Sequence, residues 1–335
     1  MRKIALITLA VLFPFLTGII GWWIGQKATV REIKSPISLV KSKPLEKYTI
    51  KNLAEAQVQE GKIVKKEVTE EKASFTSYLF SFEFNPSLEG KEIKKTTGQV
   101  NIPTENGIFP IVVMLRGYVD QEIYKTGDGT KRSAEFFAKN GFITIAPDFL
   151  GYAGSDKEAE NIFEARFQTY VAVLSLLKSL NQLDTWDSKN IFIWGHSNGG
   201  QIALIILEIT GKNYPTTLWA PVSKPFPYSI LYYTDESKDR GKLIRRELAK
   251  FEKAYDVELY SLDNFLDKIA APLQIHQGTA DDAVPIEWSN ELKEKLEDKE
   301  LDVIYYTYPG AGHDLRPSWN TVISRDVSFF NKNSK

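Results

Sequence analysis

The chain has 335 residues, of which 43% are hydrophobic and 25% charged, and its formal net charge is -1. This length is enough for one large α/β domain with appendages, and the balanced charge offers no basic field to attract nucleic acid. The sequence has no cysteine, which excludes disulfides, thiolate zinc sites and cysteine nucleophiles, and its three histidines are too scattered to indicate a metal site. We therefore expect no cofactor, no metal and no nucleic-acid partner.

An uncharged stretch from Ile4 to Ile24 follows a basic start. As a helix it would span about 31 Å, the thickness of a bilayer core, with Trp22 and Trp23 at the interface. Residues 1–25 are therefore predicted to anchor the protein in a membrane, with the rest of the chain outside the cytoplasm. The alternative is a cleaved signal peptide and a secreted protein, but the apolar region is long for a signal and lacks a small-x-small cleavage site.

The next segment, residues 26–61, is polar and Lys-rich and contains two prolines, which predicts a tether followed by a short helix near Ile50 to Gln59. Residues 62–335 are expected to form one domain. It begins with three segments that alternate apolar and polar residues, as half-exposed antiparallel strands do: Lys62 to Glu70, Ser74 to Phe84 and Gly98 to Ile102.

Further along the chain, apolar runs alternate with helical patterns, which is typical of a parallel sheet covered by helices. The predicted strands are Phe109 to Arg116, Gly141 to Pro147, Ile191 to Trp194, Pro215 to Trp219, Pro272 to His276 and Asp302 to Tyr308. The predicted helices are Ser133 to Asn140, Ile162 to Leu180, Asn198 to Thr210, Glu287 to Glu297 and Trp319 to Phe330. The fold class is thus α/β, with a mostly parallel central sheet, helices on both faces and antiparallel strands at its start.

One long segment, about residues 221–270, does not alternate strand and helix. Its first part is rich in proline and aromatic residues, and its second part, Asp239 to Tyr255, has the pattern of a charged amphipathic helix. We interpret this segment as a small cap insertion over the active site. The alternative is an ordinary crossover, but crossovers are usually far shorter.

The apolar run from Ile191 to Trp194 breaks at Gly195-His-Ser-Asn-Gly199 and is followed by a buried helix pattern. A G-x-S-x-G pentapeptide between a strand and a helix is a nucleophile elbow, in which a strained turn exposes the serine hydroxyl. This predicts Ser197 as a catalytic nucleophile. A serine hydroxyl is a poor nucleophile until a base takes its proton, and the base needs a carboxylate to orient it.

The partners of such a serine follow it in the order acid, then histidine. Only His276 and His313 lie after Ser197. His313, in a Gly-rich loop after the last strand, is the predicted base, whereas His276 ends an apolar strand and is assigned a supporting role. The predicted acid is Asp281, because its neighbour Asp282 is expected to cap the next helix or to face solvent.

An oxyanion hole needs backbone N–H groups aimed at the developing negative charge. One is expected from Asn198, directly after the nucleophile, and the other from the loop after the Phe109 strand, at Tyr118. The turn from Asp148 to Ser155 is expected to close the pocket wall.

Together, the Gly195 to Gly199 pentapeptide, Gly278-x-x-Asp281-x-x-Val284-Pro285 and Gly312-His313 resemble the catalytic domain of the prolyl oligopeptidase (S9-type) serine peptidases, within the α/β-hydrolase superfamily. The resemblance runs from about Gly98 to Phe330 and implies the α/β-hydrolase fold. It also implies the triad of Ser197, Asp281 and His313, with Asn198 and Tyr118 as oxyanion donors. Two features depart from the family: Arg116-Gly117 stands where relatives usually have His-Gly, and no propeller precedes the sheet.

The resulting hypothesis is a serine hydrolase that cleaves a small ester or peptide through an acyl-enzyme. A small-molecule carboxylesterase and a peptidase both remain open, because the missing propeller favours small esters and the motifs favour peptides. An alternative of another class is a membrane-tethered binding protein on a catalytically dead hydrolase fold. The presence of Ser197, Asp281 and His313 argues against this alternative, and only Arg116 supports it.

Overall fold

The computed structural model describes residues 42–237 and 239–335. The predicted anchor, residues 1–25, and most of the predicted tether lie outside these ranges. Within them, no helix combines the length and the apolar character that crossing a bilayer requires. A compact unit begins at Lys43 and extends to Lys335.

In the described part of the chain, nine strands form one sheet in the order β1-β2-β3-β5-β4-β6-β7-β8-β9. The first three strands are antiparallel to their neighbours, and the remaining six run parallel to one another. This confirms the predicted α/β-hydrolase fold. The strands are β1 (Lys62–Glu71), β2 (Phe75–Phe84), β3 (Lys94–Pro103), β4 (Phe109–Leu115), β5 (Ile143–Pro147), β6 (Trp186–His196), β7 (Thr216–Trp219), β8 (Leu273–Gly278) and β9 (Val303–Tyr308).

Helices cover both faces of the sheet. Successive residues of β4 point to opposite faces, so Val113 packs in the larger apolar core while Val112 packs in a second core with the helices at Lys131–Lys139 and Trp319–Lys332. The helices are α1 (Ile50–Glu55), α2 (Lys131–Lys139), α3 (Ile162–Lys178), α4 (Asn198–Thr210), α5 (Tyr228–Leu231), α6 (Lys242–Glu252), α7 (Ile286–Glu297) and α8 (Trp319–Lys332).

The domain starts earlier than the sequence pattern indicates, at Lys43 instead of residue 62. Helix α1 occurs where a short helix is predicted, but it belongs to the domain because Tyr48 and Leu53 are buried in the larger core. The Tyr48 hydroxyl also hydrogen-bonds to Glu164 on α3 at 3.1 Å. Because these apolar side chains are buried, residues 43–61 are held against the domain and do not form a free tether.

The insertion between β7 and β8 divides into two parts. In its first part, Tyr232 packs on Trp288 of α7 with ring centroids 4.7 Å apart, and the Tyr233 hydroxyl donates to the carbonyl of Ala283 at 3.2 Å. In its second part, α6 packs on the helix layer, where the ring centroids of Phe251 and Phe163 of α3 are 4.9 Å apart. The aromatic first part therefore borders the predicted acid loop, and the amphipathic helix extends the core.

Candidate functional site

Ser197 occupies a sharp turn between β6, which ends at His196, and α4, which begins at Asn198. Its backbone angles are φ 56° and ψ -120°, a conformation that side-chain-bearing residues rarely adopt. Two bonds hold the turn: the Ser197 N–H donates to Trp219 at 2.9 Å, and the Val222 N–H donates to the Ser197 carbonyl at 3.0 Å. The backbone thus has the geometry of a nucleophile elbow.

The flanking glycines are required by close backbone contacts. A Cβ at Gly199 would lie 1.9 Å from the carbonyl oxygen of Leu115, and a Cβ at Gly195 would lie 2.7 Å from the carbonyl oxygen of Gly199. Both distances are below any normal contact, so only glycine lets the turn pack against β4. The pentapeptide spacing follows from these contacts.

The structure brings His313 and Asp281 together, as their place in the chain predicts. The Nδ1 atom of His313 lies 3.1 and 3.0 Å from the two carboxylate oxygens of Asp281. Donation by Nδ1–H fixes the ring, and the Nε2 atom is then on the opposite side as a potential proton acceptor. The Asp281 side chain is fully buried, while that of His313 is 23% exposed.

The carboxylate of Asp281 is held by more than the histidine. It also accepts the backbone N–H groups of Ala283 and Val284, both at 2.9 Å, and the side-chain amide of Gln277 at 3.0 Å. Burial works to raise the pKa of Asp281, but the bonds from His313, Val284 and Ala283 outweigh it, so the pKa is lowered. The acid therefore remains ionised at neutral pH.

The position of Gln277 is one that the sequence analysis missed. Its side chain is buried at the end of β8, and its carbonyl oxygen accepts the Ser289 hydroxyl at 2.7 Å. A glutamine at the carboxyl end of a buried strand, four residues before the predicted acid, is the signal that points to it.

The acid and base loops are joined along their length because β8 and β9 are neighbours. The Thr279 N–H donates to Tyr308 at 3.0 Å, and the Ala280 N–H donates to Ala311 at 2.9 Å. A Cβ at Gly278 would lie 2.2 Å from the carbonyl oxygen of Ala311, so the glycine is needed for this approach. These contacts fix the distance between Asp281 and His313.

His196 is a second residue that the sequence analysis did not assign to the site. Its Nε2–H donates to the backbone carbonyl of His313 at 3.1 Å, and the two imidazole rings pack with centroids 4.7 Å apart. Burial and then the neighbouring His313 lower the pKa of His196 to about 4. His196 is therefore neutral at pH 7 and links the nucleophile elbow to the base loop.

The two predicted oxyanion donors belong to the first residue of α4, directly after Ser197, and to the loop after β4. Among residues 42–237 and 239–335, neither the Asn198 N–H nor the Tyr118 N–H has a hydrogen-bond acceptor. The loop that carries Tyr118 passes close to the elbow, since a Cβ at Gly117 would lie 3.1 Å from Ser197 Cβ and 3.6 Å from its Oγ. The Tyr118 side chain is 75% exposed.

His276 is buried away from this site, in agreement with a supporting role. Its Nε2 lies 2.9 Å from Asp326 of α8, and its Nδ1 lies 2.7 Å from the Tyr308 hydroxyl. The side chains of His276 and Asp326 are both 0% exposed. The sequence predicts that Asp282 either caps the next helix or faces solvent. In the structure it is exposed, and it does not cap α7, whose N-cap residue is Pro285.

A cavity of about 480 Å³ lies between the start of α3 and α6. Its lining includes Phe163, Phe251 and Tyr255, and it includes none of Ser197, Asp281 and His313. Within the described residues, no group of three or more histidine, aspartate or glutamate side chains is arranged to hold a metal ion.

Comparison with known proteins places these features in a family. The family model for the prolyl oligopeptidase family matches residues 129–335. The uncharacterized peptidase YtmA of Bacillus subtilis is 28% identical over 71% of this chain and 89% of its own length. An acetyl esterase from Xylanibacter ruminicola is 25% identical over 56% of this chain and 46% of its own length.

Solved structures agree on the fold. The acetyl xylan esterase of a Paenibacillus species superposes with a TM-score of 0.62 at 16% identity, covering 82% of this chain and 90% of that chain. The match at this identity concerns the fold alone. With the family model covering more than half of the sequence, the chain belongs to the prolyl oligopeptidase family and is a hydrolase of the serine-hydrolase type.

Proposed function

We propose that this protein cleaves a small ester or amide through an acyl-enzyme, with Ser197 as nucleophile, His313 as general base and Asp281 as its orienting acid. The observation that carries the proposal is the bond between His313 Nδ1 and the buried Asp281 carboxylate, on joined loops at the same sheet edge as the strained Ser197 turn. Asn198 and Tyr118 are proposed to donate their N–H groups to the oxyanion.

In the first half of the reaction, His313 Nε2 takes the proton of Ser197 Oγ as this oxygen attacks the substrate carbonyl. The negative charge that develops on the carbonyl oxygen is stabilised by the N–H groups of Asn198 and Tyr118. The imidazolium is stabilised by the ionised Asp281 and returns the proton to the leaving alcohol or amine. Water then attacks the acyl-enzyme with the same base, which regenerates Ser197.

The proposed substrates are esters of small acyl groups first and short amides second. A preference for esters is supported by similarity to acetyl esterases, and a peptidase activity by similarity to the peptidase YtmA. Tyr228 and Tyr232, which are 48% and 43% exposed beside the acid loop, offer apolar surface for either the acyl or the leaving group.

A paired assay with p-nitrophenyl acyl esters and aminoacyl or prolyl amides tests this proposal. We expect turnover that is lost in Ser197→Ala, with a higher kcat/KM on the short acyl esters. Turnover of both substrate types that is equal in wild type and Ser197→Ala would reject the assignment. A folded protein without any turnover on a broad panel would favour the catalytically dead alternative.

We also propose that Ile4 to Ile24 attaches the protein to a membrane with its domain outside the cytoplasm. The support is the uncharged 21-residue stretch with Trp22 and Trp23 near its end. Alkaline carbonate extraction should leave the full chain in the pellet. Recovery of a shortened, soluble chain would instead indicate signal cleavage.

A further inference from the structure

Arg116, the residue that departs from the family pattern, is a buried charge next to the proposed oxyanion loop. It follows β4 directly and is only 4% exposed. Its guanidinium carbon lies 4.5 Å from the centroid of Tyr124 and 3.9 Å from that of Tyr152, and these two rings meet edge to face with their centroids 5.1 Å apart. Burial against both rings leaves the guanidinium little freedom to rotate, so its N–H groups have fixed directions.

Two of these N–H groups donate to backbone carbonyls of neighbouring loops. NH1 donates to the carbonyl of Gly117 and NH2 to the carbonyl of Asp148, both at 2.9 Å. Asp148 is itself immobilised, because its buried carboxylate accepts three hydroxyl groups, from Thr97, Thr126 and Tyr124, at 2.6 to 2.7 Å. Arg116 thereby ties the loop after β4 to a fixed point after β5.

This tie determines the direction of the Tyr118 N–H. The Gly117–Tyr118 peptide is trans, since the cis bonds of the described chain are at Pro227 and Pro317, and in a trans peptide the C=O and N–H point in opposite directions. Arg116 NH1 holds the Gly117 carbonyl on the side of the guanidinium, so the Tyr118 N–H points away from the guanidinium in a loop that passes close to Ser197, where a Cβ at Gly117 would lie 3.6 Å from Ser197 Oγ. A charged donor on the carbonyl also polarises the peptide and makes its N–H a stronger donor.

We infer that Arg116 is a positioning residue, which orients the Gly117–Tyr118 peptide so that the Tyr118 N–H binds the oxyanion. The inference rests on the proposed function, since it assigns a role within the same reaction. Arg116 is too deeply packed between Tyr124, Tyr152 and Asp148 to touch the substrate itself. Its effect is therefore expected in the transition state and much less in substrate binding.

The test compares Arg116→Met with Arg132→Met, which removes another stacked guanidinium, on the exposed surface over Trp319. For each variant, active sites are first counted by titration with a fluorophosphonate, and kcat and KM are expressed per active site. The inhibition constant of phenylboronic acid is also measured, because its tetrahedral adduct with the serine resembles the transition state. For Arg116→Met we expect kcat to fall about 10- to 100-fold, with KM within about threefold and boronate affinity reduced in parallel with kcat. Arg132→Met should match wild type, and Arg116→Lys should be intermediate.

Retention of kcat within about twofold in Arg116→Met would overturn the inference, as would a loss of kcat with unchanged boronate affinity. If Arg116→Met does not fold, Tyr152→Leu replaces it, since loss of one stacking ring should lower kcat and boronate affinity together by a smaller factor. Ser197→Ala separates the two proposals. Full turnover in that variant rejects the proposed function, whereas an inactive Ser197→Ala with an unimpaired Arg116→Met rejects only the role of Arg116.

Discussion

Two pairs of histidine and aspartate lie in or next to strand β8, and the distance between the partners is nearly the same in both. His313 lies 3.0 Å from Asp281, and His276 lies 2.9 Å from Asp326. They differ in access: the His313 side chain is 23% exposed on a loop beside the Ser197 elbow, whereas both members of the second pair are 0% exposed between the sheet and α8. The distance between the two side chains therefore does not identify a catalytic pair.

The surroundings of each aspartate show the same difference. Asp281 is held by its own loop and by Gln277, which leaves its histidine facing outward. Asp326 accepts three donors that tie together different elements: Trp219 of β7, and Gln274 and His276 of β8. The first arrangement can move a proton to and from a reacting group, and the second joins the C-terminal helix to the sheet.

The largest effect is expected when the first aspartate is replaced. Asp281→Asn keeps the size of the side chain but no longer fixes the His313 tautomer or stabilises the imidazolium, so kcat should fall about 10,000-fold. The free energy of unfolding should fall by only about 1 kcal/mol, because the amide oxygen can still accept from Ala283 and Val284 while the new amide N–H2 group opposes the Gln277 donor. Ester hydrolysis and chemical denaturation measure the two quantities. A decrease in kcat below tenfold would remove the functional distinction between the pairs.

The same substitution in the second pair should have the opposite profile. In Asp326→Asn, the new side-chain N–H2 group faces at least one of the three buried donors, Trp219, Gln274 and His276, with no acceptor between them. The free energy of unfolding should therefore fall by on the order of 3 kcal/mol. Turnover per titrated active site should be retained at a temperature where the variant is folded. A loss of turnover as large as that of Asp281→Asn, without loss of stability, would show that the second pair takes part in catalysis.

A smaller effect is expected at His196, which bonds to the carbonyl of His313. His196→Ala removes this bond and the packed ring, so kcat should fall about tenfold and the free energy of unfolding at pH 7 by about 1 kcal/mol. The position of the base relative to Ser197 would then depend on the rest of the loop. An unchanged kcat would show that His196 does not position His313.

The pH dependence of stability gives an independent measure of His196. Its pKa is lowered to about 4 in the folded protein, so between about pH 6.5 and pH 4 the unfolded chain binds the proton more readily. Protonation of His196 in the unfolded chain therefore lowers the free energy of unfolding of the wild type as the pH falls through that range. The stabilising contribution of the neutral His196 side chain is fully present above pH 6.5. Denaturation of His196→Ala should therefore show a shallower decrease towards pH 4, and an unchanged slope would contradict the assignment.

The predicted parts of the fold are those that follow from local patterns. Apolar runs identify the parallel strands, and α4 begins and ends at Asn198 and Thr210 as predicted. The order of elbow, acid loop and base loop along the chain is fixed by the fold, which is why Ser197, Asp281 and His313 are predicted as a triad. Of the two later histidines, His276 is buried within β8, whereas His313 lies in the loop after β9.

The sequence does not reveal features that depend on contacts between distant segments. The contacts of Arg116 require Tyr124 in the loop after β4 and Asp148 and Tyr152 in the turn after β5, two segments that meet only in the folded chain. The start of the domain at Lys43 was missed for a similar reason. A short segment such as residues 43–55 has too few apolar residues to indicate burial, and Glu164, to which Tyr48 hydrogen-bonds, lies more than 100 residues away.

Fluorophosphonate labelling followed by peptide mass spectrometry tests whether Ser197 is the nucleophile, since the probe reacts with a serine activated by its neighbours. We expect an adduct on Ser197 in the wild type and in Asp326→Asn, greatly slowed labelling in Asp281→Asn and none in Ser197→Ala. Equal labelling of the wild type and Ser197→Ala, or labelling at another serine, would contradict this assignment.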